Sequence, residues 1–302
     1  MIGVHGVHGV HGLSRKTLRA RTIIYWNFTK PRIWAVFALE GLAGSMLAKS
    51  ASEIFPWLSV VTAVLVIALA AAGAEALTNV LDRNMDAVMQ RTHARPLPRG
   101  TITPRSAVVF GFVCVGASLS LGAILGAIPL LFLVIGLIDN VIIYSALAKR
   151  TTPWSIMLGA GAGAIPVWVG FAVVRLPISL SGWLLGVVVL CWIPVHIWSL
   201  AWASREDYAR ADVPMAPVVW SPKTFQRAWY AALVLMLGAT MTFAAVALGQ
   251  VAGLIADGAA AVVALLGGQW AVWPTTKHAR LVFQTVNAYL AGLLLLVIVI
   301  RL

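Results

Sequence analysis

The sequence predicts an all-α protein, a multi-pass transmembrane bundle of about nine helices, on three observations. Of its 302 residues 61% are hydrophobic and 11% are charged, and its mean hydropathy of +0.91 lies above what soluble globular chains of this length reach. Its apolar stretches recur at lengths that fit a bilayer, whose ~30 Å hydrocarbon core takes about 20 residues of helix. None of them alternates apolar and polar residues as a barrel strand does, and backbone groups in lipid need partners within a helix or a closed barrel.

Taken in order, the expected spans are residues 33–50, 57–78, 106–125, 128–147, 155–174, 181–203, 228–248, 251–272 and 281–300. Ahead of them, residues 1–24 read as a disordered, basic, His- and Gly-rich tail, and 25–302 as a single transmembrane domain. The tail repeats Val-His-Gly, which sets His5, His8 and His11 three residues apart. Low-complexity segments of this kind are usually disordered. Residues 1–32 lack the apolar core and small-residue cleavage site of a secretory signal, so the first spanning helix is the expected insertion signal.

The net charge of +12 would suggest nucleic acid in a soluble chain, but its distribution points to a membrane. With the N-terminus inside, all of the 22 Lys and Arg except Lys49, Arg175 and Arg301 fall on the inner side. That asymmetry obeys the positive-inside rule and predicts a cell-membrane protein with a cytoplasmic N-terminus and an outer C-terminus. Basic residues beside a bilayer also attract anionic lipid headgroups, which leaves no charge excess that calls for nucleic acid. Cys114 and Cys191 fall inside apolar stretches with no disulfide or zinc spacing.

Outer loops are short, whereas the inner loops 79–105 and 204–227 are long and charged. Both open with acids beside arginines, like two weakly related halves. At the end of the second expected span, Glu75, Asn79, Asp82 and Asp86 share one helix face at about 100° per residue. Acids at a membrane are costly and point to function. Mg²⁺ would account for them, because it takes hard oxygen ligands from one or two carboxylates and from phosphates.

Arg91 and Arg95 follow at once in a loop stiffened by Pro96 and Pro98, and guanidinium forks suit phosphate oxygens. In the sixth span Trp192, His196, Ser199, Ala203 and Asp207 would share a face if helical throughout, with Arg205 and Glu206 beside them and Pro194 as a candidate kink. Lys149 and Arg150 end the fourth span. Acids and bases gathered on one face of an apolar bundle fit a metal-bound diphosphate whose apolar tail enters a central cavity opening to the cytoplasmic side. Metal and cations would stabilise departing diphosphate, and a dry pocket would protect an allylic cation. A transporter also has many helices and buried acids, yet it would carry polar residues through to both faces, and here the outer loops are nearly bare.

These residues resemble the intramembrane prenyltransferase superfamily typified by 4-hydroxybenzoate polyprenyltransferase, and within it the protoheme IX farnesyltransferase (haem O synthase) branch. The resemblance runs from Tyr25 to about Leu237. It rests on Thr29-Lys30-Pro31-Arg32, on Asn79 through Asp86 with Arg91-Thr92 and Arg95-Pro96-Leu97-Pro98, on Lys149-Arg150-Thr151 and the stretch 159–166, and on Trp192, Pro194, His196, Asp207-Tyr208 and Pro214-Met215. Thr78 stands where the family usually has Asn, Asn84 where it has a third acid, and Val195 where it has a second proline. Glu75 lies outside the family pattern.

The resemblance implies Mg²⁺-dependent transfer of farnesyl from farnesyl diphosphate to a vinyl carbon of haem b, with pyrophosphate leaving. Prenyl transfer to another acceptor, such as an aromatic acid, a quinone precursor or a lipid glycerol phosphate, is the alternative. Asn79, Asp82, Asp86, Glu206 and Asp207 would hold the metal, with Asp82, Asp86 and Asp207 catalytic. Arg91, Arg95, Lys149, Arg150 and Arg205 would grip phosphate, and His196 with Trp192 would face the acceptor.

Overall fold

Helices account for every regular element among the described residues. The structure is a computed structural model that describes residues 15–302 apart from 51 and 273, with side chains described from residue 22 onward apart from 271–273 and residue 51. Eight helical segments there are long and apolar enough to cross a bilayer. The expected first span, 33–50, is instead the 17-residue helix Pro31–Leu47. At 1.5 Å per residue it extends about 25 Å, short of the ~30 Å core.

The helices are α1 (Arg15–Phe28), α2 (Pro31–Leu47), α3 (Trp57–Leu81), α4 (Arg83–Val88), α5 (Pro104–Ile124), α6 (Ala127–Leu137), α7 (Ser155–Leu158), α8 (Gly161–Ala172), α9 (Leu180–Ala203), α10 (Arg205–Arg210), α11 (Ala216–Val219), α12 (Pro222–Ala247), α13 (Gln250–Val272) and α14 (Thr276–Arg301). α3 packs along α5, α2 is flanked by α3, α8 and α14, and α9 is flanked by α8, α12 and α14.

Three elements depart from the sequence reading. The tail expected to be disordered through residue 24 is helical from Arg15 onward, because RKTLRARTIIYWNF holds no Gly or Pro to break a helix; the Val-His-Gly repeats lie outside the described residues. The fourth span begins as α6 and continues as an 11-residue π-helix, Ile138–Ala148, a rare geometry that gathers at functional sites. Within it Asp139 Oδ2 accepts from Ala162 N at 2.6 Å, supplying a partner to a free N–H in the first turn of α8. The fifth span, expected unbroken over 155–174, is interrupted between α7 and α8. Gly159 lies there against the Tyr144 ring, where an added Cβ would come within 2.6 Å.

The bundle has two chemically distinct ends. Lys49 Nζ donates to Arg301 O at 3.0 Å and Leu302 O at 2.9 Å, and Arg175 pairs with Glu53 at 3.4 Å, so the three basic residues assigned outside sit with the ends of α2, α8 and α14. At the opposite end the C-termini of α3, the π-helix and α9 bring acids and bases together. Between the ends α2 and α8 run nearly in contact. Ser45 Oγ donates to Gly170 O at 2.8 Å, and a Cβ on Gly170 would be driven into the carbonyl of Gly41. Small residues that let backbones approach are a main source of helix association in membranes.

Gly170→Ala is therefore expected to destabilise the protein by about 1–3 kcal/mol through overpacking. Gly292→Ala, where a Cβ meets nothing within 4 Å, should be neutral. Unfolding in mixed detergent, followed by circular dichroism, compares the two.

Candidate functional site

The stripe Glu75, Asn79, Asp82 and Asp86 survives a helix break. α3 ends at Leu81 and α4 begins at Arg83, yet Asp82 N still donates to Thr78 O and Asp86 N to Asp82 O, both at 2.8 Å. Glu75 and Asn79 both meet the junction of α1 and α2, and Asp82 and Asp86 each meet another segment. Glu75 Oε2 lies 2.5 Å from Lys30 Nζ, and Asn79 Nδ2 donates to Phe28 O at 3.2 Å. Asp82 takes Lys149 Nζ at 2.5 Å and Arg150 Nη2 at 3.3 Å. Asp86 takes Arg95 Nη1 at 2.6 Å.

Asp82 and Asp86 are buried, 5% and 2% exposed, and an isolated buried charge would cost several kcal/mol. The basic residues therefore come to them: the π-helix delivers Lys149 at its end, and the proline loop delivers Arg95. Burial opposes the Lys149 charge, but Tyr144 and Asp82 outweigh it and hold the ammonium above the ordinary lysine range. Arg150 Nη2 also donates to Leu81 O at the end of α3.

Asp207 is turned elsewhere. α9 ends at Ala203 and α10 restarts at Arg205, and Asp207 accepts from Gln90 N and Arg91 N, each at 3.0 Å, and from Arg210. Burial raises its carboxyl, but the Arg210 bond and the two backbone N–H groups outweigh that and hold it below the usual carboxylate range. Its cleft also holds Arg91, Arg205 and Glu206, and the Arg205 guanidinium lies over the Trp202 ring at 5.2 Å.

The five oxygen donors expected to share one metal site thus divide between two places. No group of three or more His, Cys, Asp or Glu able to hold a metal forms among the described residues. Asn79 and Asp86 line one cleft and Glu206 and Asp207 another. Asn79, Asp82 and Asp86 still fit Mg²⁺, because they are hard oxygen donors within two helical turns and that ion needs only one or two carboxylates when phosphates complete its shell.

Trp192 and His196 belong to the packed seam between α9 and α14. The His196 ring stacks between Trp192 at 4.2 Å and Phe283 at 4.7 Å, and Trp192 Nε1 donates to Val286 O at 2.8 Å. Neither lines the two small spaces beside the acidic stripe.

Glu75 lines one of those two spaces, and its ion-pair partner Lys30 lines the other. A polar cleft is lined by Lys30, Asn79, Asp86 and Arg95; an apolar cavity is lined by Glu75, Asn140, Ile67, Leu133 and Ile165 among others. Sequence reasoning missed Lys30 as a partner of the stripe, since nothing in spacing links residues 45 apart. It also missed Glu40, fully buried in α2 with no hydrogen-bond partner for either oxygen. A lone acid inside an apolar helix was the available signal.

The sequence matches the profile of the UbiA prenyltransferase family over residues 38–299. It is 41% identical over 199 residues to a protoheme IX farnesyltransferase of Thermoplasma acidophilum, covering 66% of this chain and 69% of that protein. It is 33% identical to protoheme IX farnesyltransferase 2 of Cenarchaeum symbiosum, covering 95% and 98%. Among solved structures, digeranylgeranylglyceryl phosphate synthase superposes with a TM-score of 0.75 at 15% identity, covering 93% of this chain and 98% of that one. A UbiA homologue from Archaeoglobus fulgidus bound to GPP and Mg²⁺ superposes with a TM-score of 0.70 at 15% identity, covering 91% and 99%.

Asp207→Asn should loosen the loop over 89–99. Losing hydrogen bonds to a charged group worth about 1.5–3 kcal/mol predicts amide exchange there faster by roughly 10- to 100-fold. In the unsubstituted protein the folded-state pKa is depressed, so its stabilisation holds above the unfolded value. Loop protection should therefore persist at pH 5 and fade only as pH falls through the lowered carboxyl value. Hydrogen exchange read by mass spectrometry at several pH values, corrected for intrinsic rates, checks both.

Proposed function

The chain belongs to the UbiA prenyltransferase family, and from that membership and the names of its relatives we propose that it farnesylates haem b. The C1–O bond of farnesyl diphosphate breaks and C1 bonds to the terminal carbon of a haem vinyl group. Water adds its oxygen to the other vinyl carbon and gives up a proton, and pyrophosphate leaves.

The observation that carries this reading is the pair of buried carboxylates, Asp82 and Asp86, each neutralised by basic residues from a different segment beside an apolar cavity. Asn79, Asp82 and Asp86 would hold Mg²⁺, which when bound offsets the charge of the departing diphosphate. Lys149, Arg150 and Arg95 would exchange their carboxylates for diphosphate oxygens. Fixed cations aimed at a developing charge are worth far more in a dry site than in water.

Around the reacting carbon, the walls formed by Ile67, Leu133 and Ile165 exclude water from an allylic cation. Asp207 acts one step away, ordering the loop that carries Arg91 and Arg95. The basic end of the bundle faces the cytoplasm in this reading, and the chain resides in the cell membrane.

Asp82→Asn should lower turnover by at least roughly 100-fold, the range seen when one preorganised charge is lost, and, because it leaves Lys149 without its carboxylate, should also lower the unfolding midpoint, so turnover is compared at a temperature where circular dichroism shows the variant folded. The assay supplies haem b, farnesyl diphosphate and Mg²⁺ and reads product mass, with an aromatic acid, a quinone precursor and a lipid glycerol phosphate as rival acceptors. A product only with a rival acceptor overturns the haem reading. Full activity of Asp82→Asn removes that carboxylate from the site.

A further inference from the structure

Lys30 and Glu75 stand where two small enclosed spaces approach each other. Lys30 lines the polar cleft with Asn79, Asp86 and Arg95, Glu75 lines the apolar cavity between α2, α3, α6 and α8, and the two side chains touch at 2.5 Å. The ion pair thus joins the lining of one to the lining of the other. Cleft and cavity measure about 30 and 50 Å³, room for a few water molecules and far too little for a fifteen-carbon chain. A molecule with a diphosphate head in one and an apolar tail in the other has to pass the place this pair occupies.

The backbone singles out the same residue. Lys30 has φ 50° and ψ 70°, the left-handed region that residues with a Cβ rarely adopt, and such strain gathers at ligand clamps and switch points. Glu75 sits one turn deeper in α3 than Asn79, where a carboxylate against apolar walls is costly without a partner.

We propose that Lys30 and Glu75 form a loading latch, in which Glu75 competes with the diphosphate for the Lys30 ammonium. This rests on the prenyl diphosphate reading above. Arrival of the diphosphate draws Lys30 to its oxygens, the pair parts, and the chain enters the cavity. Lys30 is a positioning residue in this scheme, and Glu75 lowers apparent affinity in proportion to the fraction of molecules latched.

The sign of the Glu75 effect separates a latch from a structural strut. The purified protein in detergent is titrated calorimetrically with farnesyl thiodiphosphate, a slowly reacting analogue, in the presence of Mg²⁺. Glu75→Gln should tighten binding, by roughly threefold to fivefold for a partly exposed ion pair. Lys30→Ala should weaken it by roughly tenfold or more, and adding Glu75→Gln to Lys30→Ala should change nothing further. If Glu75→Gln fails to fold, Glu75→Asp, which withdraws the carboxylate by one methylene, should also tighten binding. Unchanged or weaker binding by a folded Glu75 variant refutes the latch alone, whereas a wild-type protein that binds no prenyl diphosphate refutes the substrate reading itself.

Discussion

Burying carboxylates at the end of a transmembrane helix is the constraint around which this protein is built. Asp82 and Asp86 are nearly inaccessible, and removing one member of a buried ion pair leaves a charge that costs about 3–5 kcal/mol. Partners must therefore be delivered from elsewhere in the chain. Lys149 and Arg150 come from the end of the π-helix, Arg95 from the proline loop, and Asp207 holds that loop by its backbone. The tertiary arrangement of the basic end follows largely from satisfying two acids.

Such an arrangement stabilises the folded chain and also makes it ready for a ligand. In the proposed reading a diphosphate would bring negative charge for the same cations to accept, and a metal ion would relieve the carboxylates they leave. The exchange conserves the number of satisfied charges, so it need not expose an unpaired ion to a low-dielectric interior. Close helix packing through Gly41, Gly44 and Gly170 would keep the scaffold rigid during such an exchange.

Much of this was legible in the sequence. The spans followed from length and hydropathy, and the acidic face from helical spacing. Tertiary pairing was not legible. Lys30 and Glu75 meet only because α1 turns into α2 at a strained residue, and the π-helix that aims Lys149 leaves no composition signal. Asp207 looked like a metal ligand because carboxylates near arginines suggest one, whereas its oxygens are used by Gln90 and Arg91 N–H groups and by Arg210. His196 drew attention as a polar residue in an apolar helix, yet it is held by stacking between Trp192 and Phe283.

In the proposed mechanism Asn79, Asp82 and Asp86 would take a divalent ion once a prenyl diphosphate accepts their basic partners. The direct test is an experimental structure with Mn²⁺ and farnesyl thiodiphosphate, in which anomalous scattering locates the metal. A metal peak is expected at about 2.1 Å from carboxylate oxygen of Asp82 or Asp86, with Lys149 and Arg95 turned to the diphosphate. A metal and diphosphate bound away from that stripe, with the Lys149–Asp82 and Arg95–Asp86 pairs intact, would contradict it.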